Sequence, residues 1–170
     1  MTLGCSKGNA PSAAEKSSML LTQSEASATV FLTPDQHATL CAALERIIPS
    51  DDGFPGAREA GVDGYFLRQF ERDLASALPM YQDCLDALQA EAHAAHDDAP
   101  FATLPADDQD TLLARIEEGE TNAPYAWHFD PALFFKRLIE HAHEGFYGDP
   151  GNGGNKNGVA WQMIGFEVTK

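Results

Sequence analysis

The sequence predicts an all-α fold, an irregular or orthogonal bundle of about five helices followed by a glycine-rich C-terminal loop. Three observations lead there. Apolar residues recur at three- and four-residue spacing along most of the chain, the period of helices that bury one face against one another. Prolines and capping residues punctuate those stretches where helices start. Nowhere does a run alternate apolar and polar residues, or gather β-branched ones, in the manner of a strand.

The first helix opens at Thr33-Pro34-Asp35-Gln36, where a threonine cap, a proline at the first helical position and a glutamine three residues on form a capping box. Ala38, Leu40, Cys41, Leu44, Ile47 and Ile48 make its apolar face, and Pro49 lies just beyond its end. Ser50-Asp51-Asp52-Gly53-Phe54-Pro55-Gly56 is turn chemistry throughout. A second helix follows, with Val62, Phe66, Phe70 and Leu74 recurring every four residues beside Tyr65. Pro79 opens a third, carrying Tyr81, Cys84, Leu85, Leu88 and Ala92, and Pro105 a fourth, carrying Leu112, Leu113 and Ile116 and stopped by Gly119. Asp130-Pro131 caps the fifth, whose face holds Phe134, Phe135, Leu138 and Ile139 and which is expected to stop near Gly145.

From Gly145 to Gly158 six of fourteen residues are glycine, a density that allows positive φ angles and close backbone approach. Phe146, Tyr147 and Pro150 give this loop fixed anchors, and Val159, Trp161, Met163, Ile164 and Phe166 pack as a short final segment. The expectation is a compact loop pinned at both ends, with an architectural or partner-contacting role. It is no phosphate cradle: GxxxxGK[ST] is absent, and GxGxxG fails after Gly151 and Gly153.

Residues 1–30 differ in kind. They are rich in Ser, Ala, Thr and Lys with little apolar periodicity, too little burial to offset the entropy of ordering the chain. We read 1–30 as a flexible exported tether and 31–170 as one helical domain. Met1-Thr2-Leu3-Gly4-Cys5-Ser6 matches the end of a bacterial lipoprotein signal, which makes Cys5 a candidate for lipidation; a chance match is the alternative. Gly4-Cys5-Ser6-Lys7-Gly8 also spells GxSxG, but the strand and helix that make that motif a nucleophile elbow are missing.

Charge removes further classes. With 26 acidic and 11 basic residues, a formal charge of −15, the chain would be repelled by nucleic acid and by anionic lipid. No apolar run approaches the roughly 18–20 residues needed to cross a bilayer, so membrane contact is expected only through a lipid tether. Cys5, Cys41 and Cys84 lie far apart without CxxC, CxxCH or zinc-type spacing, which excludes attached c-type haem. Cys41 and Cys84 read as buried free thiols.

The other candidate sites have plain structural readings. His93 and His96 with Asp97 and Asp98, and His141 with His143 and Glu144, carry metal-ligating side chains. Both groups sit where helices end, which favours histidine for dipole reasons, and residues two apart face different ways. An independent metal-dependent enzyme built on them is the alternative function, and a lipid-tethered binding protein without an enzyme partner is another. Trp127-His128-Phe129 reads as packing against the fifth helix. Asp51-Asp52 and Glu117-Glu118-Glu120 read as solvated acidic faces.

Phe31-Leu32-Thr33, the Ile47-Ile48-Pro49-Ser50-Asp51 turn, and above all Glu144-Gly145-Phe146-Tyr147-Gly148-Asp149-Pro150 through Gly153-Gly154-Asn155 to Trp161 and Ile164-Gly165-Phe166 resemble the gluconate 2-dehydrogenase small-subunit family, also called subunit 3. The resemblance covers about residues 31–168. It implies a non-catalytic subunit that holds no cofactor itself and stabilises and escorts a large flavoprotein of the glucose-methanol-choline type. That partner carries FAD, oxidises a sugar, sugar acid or glycoside, and passes electrons to a cytochrome c or another acceptor. Relatives paired with glucoside 3-dehydrogenases leave the substrate open. Joint export implies a periplasmic location. Carried over by residue, Gly145, Phe146, Tyr147, Asp149, Pro150, Gly153, Gly154, Asn155, Trp161 and Gly165 are expected to shape the loop and lie at or near the partner interface.

Overall fold

The computed structural model describes residues 31–167, and the tether reading and Cys5 lie outside them. Among the described residues the regular structure is helical, with seven α-helices, five short 3-10 turns and one isolated bridge between Asp51 and Phe54. The helices are α1 (Pro34–Ile47), α2 (Ala57–Ala60), α3 (Val62–Phe70), α4 (Leu78–Ala95), α5 (Ala106–Glu117), α6 (Pro131–Tyr147) and α7 (Val159–Met163).

The start signals act as expected. Thr33 Oγ1 accepts from the Gln36 amide at 3.2 Å while Gln36 Oε1 accepts from the Thr33 amide at 2.9 Å, closing the capping box of α1. Asp130 Oδ1 accepts from the Leu133 amide at 3.0 Å and starts α6. Each bond satisfies an amide that the first helical turn leaves without a partner.

Three boundaries differ from the sequence expectation. The second helix arrives in two pieces, α2 and α3, broken at Gly61, whose φ of +64° is left-handed. At its far end α3 stops at Phe70, and Leu74 returns to the core through a turn in which its amide donates to Gln69 O at 2.9 Å. The fifth predicted helix, α6, runs through Gly145 to Tyr147 instead of stopping there. Gly145 is a packing residue, because a Cβ added to it would lie 2.9 Å from the Tyr65 ring.

The helix α6 packs against every other described α-helix, and α1 against five of them, so these two form the axis of the bundle. An aromatic chain runs through the core. Phe31 meets Phe70, Phe70 and Phe66 meet Tyr81 at ring separations of 5.4 and 5.3 Å, and Tyr81 meets Phe134 at 5.9 Å. Edge and tilted arrangements of this kind bury large apolar area while matching ring quadrupoles. Trp127 joins from outside, 6.0 Å from Phe134, so the packing expected of the Trp127-His128-Phe129 cluster falls to the tryptophan; Phe129 is exposed.

Candidate functional site

The residues singled out after helix α6 form one compact unit set on α3 and α6. Its foundation is four glycines. A Cβ on Gly154 would stand 2.1 Å from Gly145 O, and one on Gly153 would stand 2.6 Å from Gly64 O. The Gly153-Gly154 backbone therefore lies directly on two helices, one touched through Gly64 and the other through Gly145, an approach open only where no Cβ intervenes. Gly153 also has φ of +104°.

Asn155 locks this arrangement. It is fully buried and left-handed, with φ of +43°. Its Nδ2 donates to Gly148 O at 2.9 Å and its Oδ1 accepts from the Ala160 amide at 3.0 Å, joining the end of α6 to the start of α7. Asp149 Oδ1 accepts from the Gly151 amide at 2.6 Å, and Pro150 begins the 3-10 turn that follows. Trp161 Nε1 donates to Tyr147 O at 2.8 Å. Gly165, at φ of +68°, turns the chain so that the Phe166 amide donates to Trp161 O, and the Phe166 ring stands edge-on to Trp161 with centroids 5.2 Å apart.

The ten residues thus divide. Gly145, Phe146, Gly154 and Asn155 are inside, with Phe146 only 1% exposed. Tyr147, Asp149 and Gly165 are at the surface, and Pro150, Gly153 and Trp161 are half-buried. Around Trp161 the unit presents Tyr147, Ile164 and Phe166 at 46%, 57% and 55% exposure. Ile164 and Phe166 entered the sequence reading as packing residues and as part of the family motif, not as interface residues, since apolar spacing cannot distinguish a buried face from a presented one.

Beneath the unit two tyrosines reach α6. Tyr65 Oη donates to Glu144 Oε2 at 2.6 Å, and Tyr81 Oη pairs with His141 Nδ1 at 2.6 Å. Burial and then the Glu144 bond raise the Tyr65 hydroxyl, burial raises Tyr81, and burial holds His141 below its ordinary value of 6.5. His143 instead stacks on Tyr147, so His141 and His143 do not converge. His93 pairs with Gln89 and His96 lies 3.9 Å from Asp108, so the other histidine group is also drawn apart.

Sequence reasoning missed two polar sites. The Glu91 carboxyl, buried on α4, accepts from the Asn122 and Ala123 amides and from Trp127 Nε1 at 2.6–3.0 Å, tying down the segment before α6. On α1, His37 Nε2 lies 3.6 Å from Cys41 Sγ and 3.4 Å from Asp63 Oδ2 on α3. The four-residue spacing of His37 and Cys41 was a visible signal; the arrival of Asp63 was not. Hydrogen bonding to Asp63 first and Cys41 second pushes His37 up to about 10. Burial opposes ionisation of Asp63, but the His37 contact together with the Gly64 and Asp63 backbone amides holds that carboxyl below its usual range. Cys84 is a buried free thiol, pushed up to about 12 by burial; Cys41 is free and half-buried.

The helical bundle, its pinned C-terminal unit and the presented aromatic rim define a small helical domain. The chain belongs to the gluconate 2-dehydrogenase subunit 3 family, whose model matches residues 34–167. Membership makes it a small accessory subunit of a dehydrogenase complex, with a larger catalytic partner. No curated protein and no solved structure matches the chain.

Proposed function

We propose that the chain is a non-catalytic subunit that stabilises and escorts an FAD-dependent dehydrogenase of the glucose-methanol-choline type, acting on a sugar, sugar acid or glycoside in the periplasm. In this reading the partner holds the flavin and delivers electrons to a cytochrome c or another acceptor. The observation that carries it is the C-terminal rim. Tyr147, Ile164 and Phe166 project from a backbone that four glycines, Asn155 and Trp161 hold in place. Aromatic and large apolar side chains on a rigid frame suit the core of an interface, because little side-chain or loop entropy is lost on docking.

The test is co-expression with a candidate large flavoprotein subunit from the same genome and purification through a tag on this chain alone. A yellow complex that oxidises sugar with a dye acceptor is expected. Replacing Ile164 and Phe166 by serine should leave the chain folded and abolish co-purification of flavin. Retention of the complex by that variant would place the interface elsewhere, and a flavoprotein soluble and active without this chain would end the escort reading.

A further inference from the structure

A second constellation lies on the α1–α3 side of the bundle. His37 and Cys41 stand one turn apart on α1, and Asp63 comes from the first turn of α3. One ligand atom from each falls within 4.8 Å of the other two. The three are half-buried, and Cys41 and Asp63 line a surface cavity of about 160 Å³ together with Leu44, Glu45, Ala57 and Arg58.

The orientation of the imidazole is informative. In a thiol–histidine–carboxylate relay the two partners engage opposite ring nitrogens, the carboxylate orienting the ring and the other nitrogen facing the thiol. Here the thiol and the carboxylate both face Nε2. One N–H can serve both only as a shared, bent hydrogen bond, whereas a single cation in front of the nitrogen can bind all three. The two separations measured from Nε2 fit such a centre, and the sulfur–oxygen edge lies within 4.8 Å. Zinc bonds of about 2.0 Å to nitrogen and oxygen and about 2.3 Å to sulfur give tetrahedral edges of about 3.3 Å for N–O and about 3.5 Å for N–S. The observed values are 3.4 and 3.6 Å.

We propose that His37 Nε2, Cys41 Sγ and Asp63 Oδ2 bind one zinc-class divalent cation, with the fourth position turned to the cavity and filled by water. Imidazole, thiolate and carboxylate together suit a borderline tetrahedral ion and not calcium or magnesium, which select oxygen donors. The cation would join α1 to α3 next to Gly64, the residue on which Gly153 rests, and so brace the base of the C-terminal unit.

The test uses the full chain without a histidine tag and with Cys5→Ser, so that Cys41 is the accessible thiol. After dialysis against chelator it is titrated with cobalt(II). One equivalent is expected to give a thiolate-to-cobalt charge-transfer band in the near ultraviolet and the strong visible absorption of tetrahedral cobalt, both removed by zinc. Cys41→Ser should abolish the charge-transfer band. Asp63→Asn should weaken binding by more than the roughly 10–100-fold typical of losing an outer-shell partner. Zinc should raise the melting temperature of the parent chain and not that of His37→Gln. Absence of the band in the parent chain, or its persistence in Cys41→Ser, overturns the proposal without reference to how either variant folds.

Discussion

Gly154 shows how one hydrogen in place of a methyl group decides local architecture. Its Cα faces Gly145 O so closely that a methyl would fall 2.1 Å from that oxygen, and the atoms it would meet are all Gly145 backbone, which cannot swing aside as a side chain can. Gly154→Ala should therefore lower unfolding free energy by about 1–3 kcal/mol, the range for forcing extra volume into a packed site, measured by urea denaturation at constant m-value. An unchanged midpoint would mean that the loop does not rest on α6 in solution. Gly119→Ala serves as a comparison, since nothing lies within 4 Å of its added carbon and only the left-handed φ of +73° opposes it. The glycine richness of 145–158 was visible in the sequence; which glycines face backbone and which face water was not.

Between elements, the contact of α4 with α6 carries a pH dependence. His141 on α6 faces Tyr81 on α4, with Glu144, Glu140 and Arg137 as charged neighbours on its own helix. Burial depresses its folded value below the ordinary 6.5. The unfolded chain then binds more protons between those two values, so stability is full above about 6.5 and falls as pH drops through the folded value. A scan of melting temperature from pH 8 to pH 5 should show this acid-side loss, and His141→Gln, which keeps a hydrogen-bonding side chain, should reduce its slope. Equal slopes would place the loss on other groups. Helix starts were legible here because Thr33-Pro34 and Asp130-Pro131 satisfy the first-turn amides with local atoms. Two of the three misplaced boundaries share one cause. At Gly61 and Gly145 a glycine was read as a local stop or ignored, while contacts from distant parts of the chain fix what each does: Gly145 gives way to the Tyr65 ring, and Gly61 turns α2 into α3.

Across the whole molecule two phenylalanines of the same C-terminal region separate stability from assembly. Phe146→Ala should cost about 3–5 kcal/mol, as for truncation of a buried aromatic, and lower partner yield through loss of folded subunit. Ile164→Ser with Phe166→Ser, at 57% and 55% exposure, should leave the denaturation midpoint nearly unchanged and remove the partner. Denaturation together with co-purification distinguishes the two; if both variants unfold alike, the rim belongs to the core. By itself the sequence determined the helical class, most helix starts, the family of the 145–166 motif and the unsuitability of so acidic a surface for nucleic acid, because each rests on periodicity, local capping, turn chemistry or summed charge. Only the tertiary structure decided that Phe146 turns inward while Phe166 turns outward, that Glu91 anchors the segment before α6, and that Asp63 joins His37 and Cys41. Those outcomes depend on contacts between residues far apart in the chain, and no local pattern encodes which face of an element its partners will cover.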